Sequence, residues 1–217
     1  MKKYINIALC AFLSALIGIS CNTRAQNSET QLSKKDNETP KVYMFKEISS
    51  ENLVKIYEAL NRKATGKVAV KLSTGEPGGH NFLQPALIKD LVQKVNGTIV
   101  ECNTAYGGGI LKKRNINGGG RADTESHLKA AADHGFTAIA PVDIMDSEGE
   151  TALLVHGGKH LKENYVGAHY PNYDFTIILS HFKGHAMGGF GGAIKNMSIG
   201  IASSTGKAWI HSAGKTK

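Results

Sequence analysis

The sequence predicts an α/β fold, a mostly parallel sheet with helices on both faces. Three observations carry that expectation. Short apolar runs at residues 68–72, 98–102 and 175–179 read as buried strands. Segments between the first of these carry apolar residues at three- and four-residue spacing, the mark of helices packed on a sheet. Each run ends in glycine, proline or a polar residue, and parallel crossovers gather such strand ends on one side.

Taken in order, Ser49 and Ser50 supply an N-cap ahead of Leu53, Ile56, Tyr57 and Leu60, and Gly66 closes that helical segment. Strand 68–72 leads into a glycine loop, Thr74 to His80, that contains Glu76, Gly78 and Gly79. Pro85 opens a helix carrying Leu87, Ile88, Leu91, Val92 and Val95. Strand 98–102 precedes a loop with Asn103 and Tyr106. Asp123 or Thr124 caps a helix containing His127, Leu128 and Ala131, which stops at Gly135. Residues 136–140 read as a strand, closed by Pro141-Val142-Asp143. After strand 175–179 come His181, Lys183 and His185, then Gly188, Gly189, Gly191 and Gly192. Ala193, Ile194, Met197 and Ile201 then repeat at helical spacing. The order predicted is strand, glycine loop, helix, with the sheet incomplete at the C-terminus and correspondingly prone to aggregate at an unpaired edge.

The first 40 residues read differently. Lys2 and Lys3 precede an uncharged run from Tyr4 to Cys21, whose core has the length of a signal h-region and is short for a membrane span. Gly18-Ile19-Ser20-Cys21 ends it in a loose lipoprotein form, with Gly rather than Leu three residues before the cysteine. Residues 1–21 are therefore expected to be a lipoprotein-type signal, cut before Cys21, with lipid on its sulfur and the protein anchored in the bacterial cell envelope. A cut after Ala25 would instead release it to the periplasm, and both routes export the chain. Residues 22–40 hold only Ala25 and Leu32 as aliphatics and read as a flexible polar tether. One domain is expected over 41–217.

Composition narrows the function classes. Cys10 and Cys21 fall in the leader, so Cys102 stands alone in the domain. No internal disulfide and no cysteine metal cluster can form from it alone; its simplest role is a small buried residue. The formal charge is +8, with Lys112-Lys113-Arg114, Arg121 and the C-terminal lysines prominent. No dense basic stripe with interleaved aromatics and no nucleic-acid motif accompanies it, so a nucleic-acid partner is not expected, and the charge points to a small anionic ligand or to simple surface solvation.

The chemistry concentrates after strand 175–179. His181 and His185 suit metal ligation or proton exchange, because a neutral imidazole ligates metals and titrates near neutrality. Lys183 offers a point charge to a carboxylate or phosphate. Gly188, Gly189, Gly191 and Gly192 let backbone and ligand meet, and Lys195 and Asn196 lie in the first turn of the next helix, whose free N–H groups favour an anion. Neither GxxxxGK[ST] nor GxGxxG is present. At the neighbouring strand ends, Glu76, Gly78, Gly79, Asn103, Tyr106 and Asp143 are expected to complete a shared ligand site.

The segments Lys71 to Gly79, Val100 to Gly108 and Ala140 to Asp143 resemble the domain of unknown function 362 family. So, above all, does His181-Phe182-Lys183-Gly184-His185 followed by Gly188-Gly189-Phe190-Gly191-Gly192-Ala193-Ile194-Lys195-Asn196. The resemblance spans about 41–217. It implies the α/β fold and an association with iron–sulfur proteins, but no settled reaction; the residues that would bind a cluster are absent from this chain, which looks like an N-terminal portion. Two function classes follow. One is an enzyme or cofactor-binding domain, with His181, Lys183 and His185 catalytic or His181 and His185 holding a metal. The other is a non-catalytic envelope lipoprotein that binds a small anionic ligand or a redox partner.

Overall fold

In the computed structural model, β1 (Val68–Lys71) is buried at every position, as a strand covered on both faces must be. The structure describes residues 41–105, 120–185 and 188–215. The expected signal and tether over 1–40, with Cys21, and also Tyr106 and Lys112-Lys113-Arg114 lie outside the described residues. The architecture below belongs to the unit Phe45–Lys217. β1 pairs in parallel with β2 (Gly97–Glu101) on one side and with β6 (Phe175–Ile178) on the other. β3 (Val142–Ile144) extends the sheet beyond β2, also in parallel, giving the order β3-β2-β1-β6. The α/β fold with a parallel sheet is thus present.

Strand alternation divides the core in two. Val68, Val70, Leu72 and Ile99 point to one face, where Ile88, Leu91, Val92 and Phe136 meet them. This face is covered by α1 (Ser50–Ala59), α2 (Pro85–Lys94) and α3 (Thr124–Asp133), each begun by a local signal. The Ser49 hydroxyl accepts from the Asn52 amide, Pro85 occupies the first turn of α2, and the Asp123 carboxylate accepts from the Ser126 amide. Burying Ile88, Leu91 and Val92 contributes roughly 1.5–3 kcal/mol apiece. On the opposite face, Ala69, Val100 and Cys102 pack with Met145, Val166, Tyr173 and Ile201. That cover comes from an antiparallel pair, β4 (Glu150–Leu154) and β5 (Glu163–Gly167). Helix α5 (Ser204–His211) packs on β5, where the Trp209 ring meets Tyr165 edge-on and its indole donates to the Glu163 carbonyl at 3.2 Å.

Three local expectations are corrected. Residues 136–140 are not a strand. Phe136–Ala138 form a 3-10 turn that sinks Phe136 wholly into the core, and the strand is β3 farther on. A short buried apolar run has no periodicity that separates the two states. The glycine segment after β6 is not an open loop. It is a hairpin of β7 (Lys183–His185) and β8 (Gly189–Gly191), which Gly189 closes with φ of 72°. The following helix, α4 (Ala193–Ser198), spans six residues and leaves Ile194 and Met197 in solvent, because its inward anchor is the polar Asn196.

Candidate functional site

The site follows from the strand order. The chain leaves β1 toward β2 on one side, while β6 lies on the other side, so a crevice opens outside their carboxyl ends. A cleft of about 250 Å³ occupies this position. Among the described residues it is lined by Lys71, Ser73 and Glu76 after β1, and by Glu101, Cys102 and Thr104 at the end of β2. Ser180, His181, Lys183 and His185 line it after β6, with Gly191, Gly192, Lys195 and Asn196 from the hairpin and α4. Arg121, Lys207 and His211 complete the wall.

Its floor is a buried charge network. Lys71 is 1 % exposed and spends its three donors on the Leu72 carbonyl at 2.6 Å, Glu101 Oε2 at 2.8 Å and Asn196 Oδ1 at 2.8 Å. Glu101 Oε1 accepts from the Thr74 amide at 2.8 Å and from Arg121 Nη1 at 3.1 Å. Arg121 Nη2 reaches on to Glu76. Burial pushes the Glu101 carboxyl up, but Lys71, a hydrogen bond from His127, and Arg121 outweigh it and hold the group well below the usual carboxylate range. The charges of Glu76, Glu101, Lys71 and Arg121 are therefore paired with one another, although Arg121 Nε is buried without a hydrogen-bond partner among the described residues. Asn196 also donates to the Lys71 carbonyl at 3.0 Å and to Ser180 Oγ at 2.8 Å, tying α4 to the ends of β1 and β6.

The rim is different. Neither Lys183 nor Lys195 pairs with a carboxylate among the described residues. Burial and the neighbouring Lys183 pull the Lys195 ammonium below its ordinary pKa. Burial and Lys183 likewise lower His181, whose Nε2 is buried without a hydrogen-bond partner. Lys195 is the main cause lowering His185, with burial, Lys183 and His211 behind it. Five lysine and arginine side chains line the cleft against two carboxylates, and both carboxylates are already paired.

Of the residues expected at the site, Glu76, His181, Lys183, His185, Gly191, Gly192, Lys195 and Asn196 come together on this cleft. Gly78 and Gly79 lie in the loop after β1 and His80 is exposed there, none of them on the wall. Gly188 lies in the hairpin turn and Gly189 opens β8, neither of them on the wall. Asn103 is buried beneath, with its amide group on Thr124 and His127. Asp143 faces elsewhere and accepts from His169 at 2.8 Å and from the Tyr173 hydroxyl at 2.7 Å. Tyr106 lies outside the described residues. Sequence reasoning did not place Lys71, Glu101, Arg121 or Lys207 at the site and set His211 aside as outside it, yet all five line the cleft. The signal for the first two was present: a lysine and a glutamate inside otherwise apolar strands need buried partners.

The described residues form neither a cysteine cluster nor a multi-ligand metal site. Cys102 is the one cysteine among the described residues. It donates to the Ile201 carbonyl, and burial pushes its thiol up to about 12. No group of three or more His, Cys, Asp or Glu side chains among the described residues is arranged to hold a metal ion. No helix among them is long and apolar enough to cross a membrane.

No curated protein and no solved structure matches the chain. A family model does, over residues 68–217, and the matched span holds every element from β1 to α5 and the whole wall of the cleft. The chain belongs to the DUF362 family, a domain of unknown function.

Proposed function

We propose that this chain is an exported envelope protein, anchored through Cys21, whose switch-point cleft binds a small anion such as a phosphate or carboxylate. One observation carries the ligand reading. Lys183 and Lys195 share a rim and pair with no carboxylate among the described residues, beside a His181 nitrogen that is buried without a partner among them. Like charges brought together repel, as the lowered Lys195 and His185 register, and a bound anion reverses that cost. The donor set favours an anion over a metal, since a metal would need further ligands around His181 and His185. Burial and Lys183 favour the neutral ring of His181, a form suited to accept a proton from a bound acid. The leader supports the location: two lysines, an uncharged apolar run, small residues and then Cys21.

Calorimetric titration of the purified full chain with inorganic phosphate and with small carboxylates tests the ligand reading. One anion binds per chain, and Lys183→Gln and Lys195→Gln each weaken binding by about tenfold, the loss of roughly 1.4 kcal/mol of charge-assisted contact. Absence of binding overturns it, as does a stoichiometric divalent metal lost from His181→Ala and His185→Ala. Cys21→Ala is expected to move the protein out of the membrane fraction; unchanged fractionation would sink the anchor.

A further inference from the structure

The β7–β8 hairpin has two unlike faces. Lys183 stands opposite Gly191 and lines the cleft, whereas Phe190 stands opposite Gly184 on the other face. Phe182 shares that second face, its ring 5.3 Å from the Phe190 ring. Both rings are in solvent, 76 % and 65 % exposed. The next element continues the pattern, with Ile194 87 % and Met197 57 % exposed on α4. A side chain added at Gly184 or Gly189 would meet nothing within 4 Å, so the hairpin is open to solvent at these two positions, while Gly191 is buried and Lys183 and His185 line the cleft. Four large apolar side chains so placed mark a contact surface.

Charge says what covers it. From Phe175 to Lys217 the sequence holds five lysines and no aspartate or glutamate. Lys183 and Lys195 adjoin the apolar residues in sequence, and neither is paired with a carboxylate among the described residues. Two copies meeting through this face would oppose lysine to lysine. An anionic surface would instead gain from both Lys183 and Lys195, whereas Lys207 is buried and spends its ammonium on the Asn103 and Ala202 carbonyls. Exposed Phe, Ile and Met on a projecting hairpin and short helix, rimmed by lysines whose stems can reach up past an apolar layer, fit the headgroup–acyl boundary of a membrane. We propose that this face docks peripherally on a bilayer of anionic lipids, with Phe182, Phe190, Ile194 and Met197 in the interface. The contact is separate from lipidation at Cys21, while it shares Lys183 and Lys195 with the wall of the cleft.

The test reads the face itself, so that insertion by the leader cannot mimic it. In the full-length Phe190→Trp variant the new indole reports its own surroundings, and the wild type supplies the background of Trp209, its sole tryptophan. Vesicles of phosphatidylglycerol and phosphatidylcholine are expected to shift the added emission to the blue, and brominated acyl chains to quench it, while pure phosphatidylcholine does neither. Ile194→Trp repeats the measurement should the ring pair tolerate the first change poorly, and far-ultraviolet circular dichroism checks both folds. A water-like emission with anionic vesicles overturns the proposal, as does an equal response to neutral ones. A blue shift that grows with protein concentration without lipid, together with a doubled mass, assigns the face to a second copy and also overturns it.

Discussion

Lys71 is a lysine in the middle of a buried parallel sheet, and its three donors are all taken. Removing one member of a buried pair strands the other charge, which costs more than the pair contributes. Lys71→Met is therefore expected to lower unfolding free energy by about 3–5 kcal/mol. Lys183→Met at the exposed rim should change it by less than about 0.5 kcal/mol. Urea denaturation of the two variants checks both. A second residue-scale outcome concerns His169, whose Nδ1 meets Asp143 at 2.8 Å and whose Nε2 meets Glu148 at 3.2 Å. The Asp143 hydrogen bond is the main cause that raises its pKa, against a smaller effect of burial. A raised folded-state value means the protonated ring binds better in the native state. Its stabilisation is complete below the unfolded value near ~6.5 and is lost as pH rises through the folded value. Stability measured across that range should fall toward alkaline pH, and His169→Asn should flatten that slope.

At the level of elements, α4 is too short to hold itself in place and depends on Asn196. Asn196→Ala leaves the Lys71 ammonium short of an acceptor and two carbonyls short of a donor, a loss of about 1–3 kcal/mol. Amide exchange over Ala193–Ser198 should quicken, and anion binding at Lys195 weaken with it. This dependence also explains what the sequence disclosed and what it concealed. β1, β2 and β6 were legible because parallel strands inside an α/β sheet are mostly apolar runs, buried in β1 and β2 and half-buried in β6, and α1 to α3 because caps and spacing agree. The 3-10 turn at Phe136 was not legible, since a buried turn and a buried strand look alike over three residues. Nor was the hairpin, because its pairing places glycines opposite Lys183 and His185 and leaves no alternating apolar pattern. β4 and β5 were missed for a related reason: their half-buried positions hold Glu150, Thr151, Glu163 and Asn164. On the site, the run from His181 to Asn196 announced itself, while the charges that brace it were hidden in the strands.

For the unit as a whole, the cationic cleft sits on a chain of formal charge +8. Anion capture should therefore respond to ionic strength. Raising salt from 0.01 to 0.15 M shortens the screening length from about 30 to about 8 Å. The apparent affinity for phosphate should fall over that range, with most of the change in the association rate. Stopped-flow measurement at several concentrations of a non-binding salt checks it; a salt-independent rate would mean that the rim lysines do not steer the ligand.

The same projecting hairpin has a practical consequence. A segment open to solvent can reach a protease active site without global unfolding. Lys183 and Phe190 offer trypsin and chymotrypsin their preferred side chains within that segment. The first nick in the folded unit should therefore fall between β6 and α4, and an anion seated against Lys183 should slow it. Cleavage rate at this one place becomes a label-free reading of whether the cleft is filled, usable in an extract before the natural ligand has been identified.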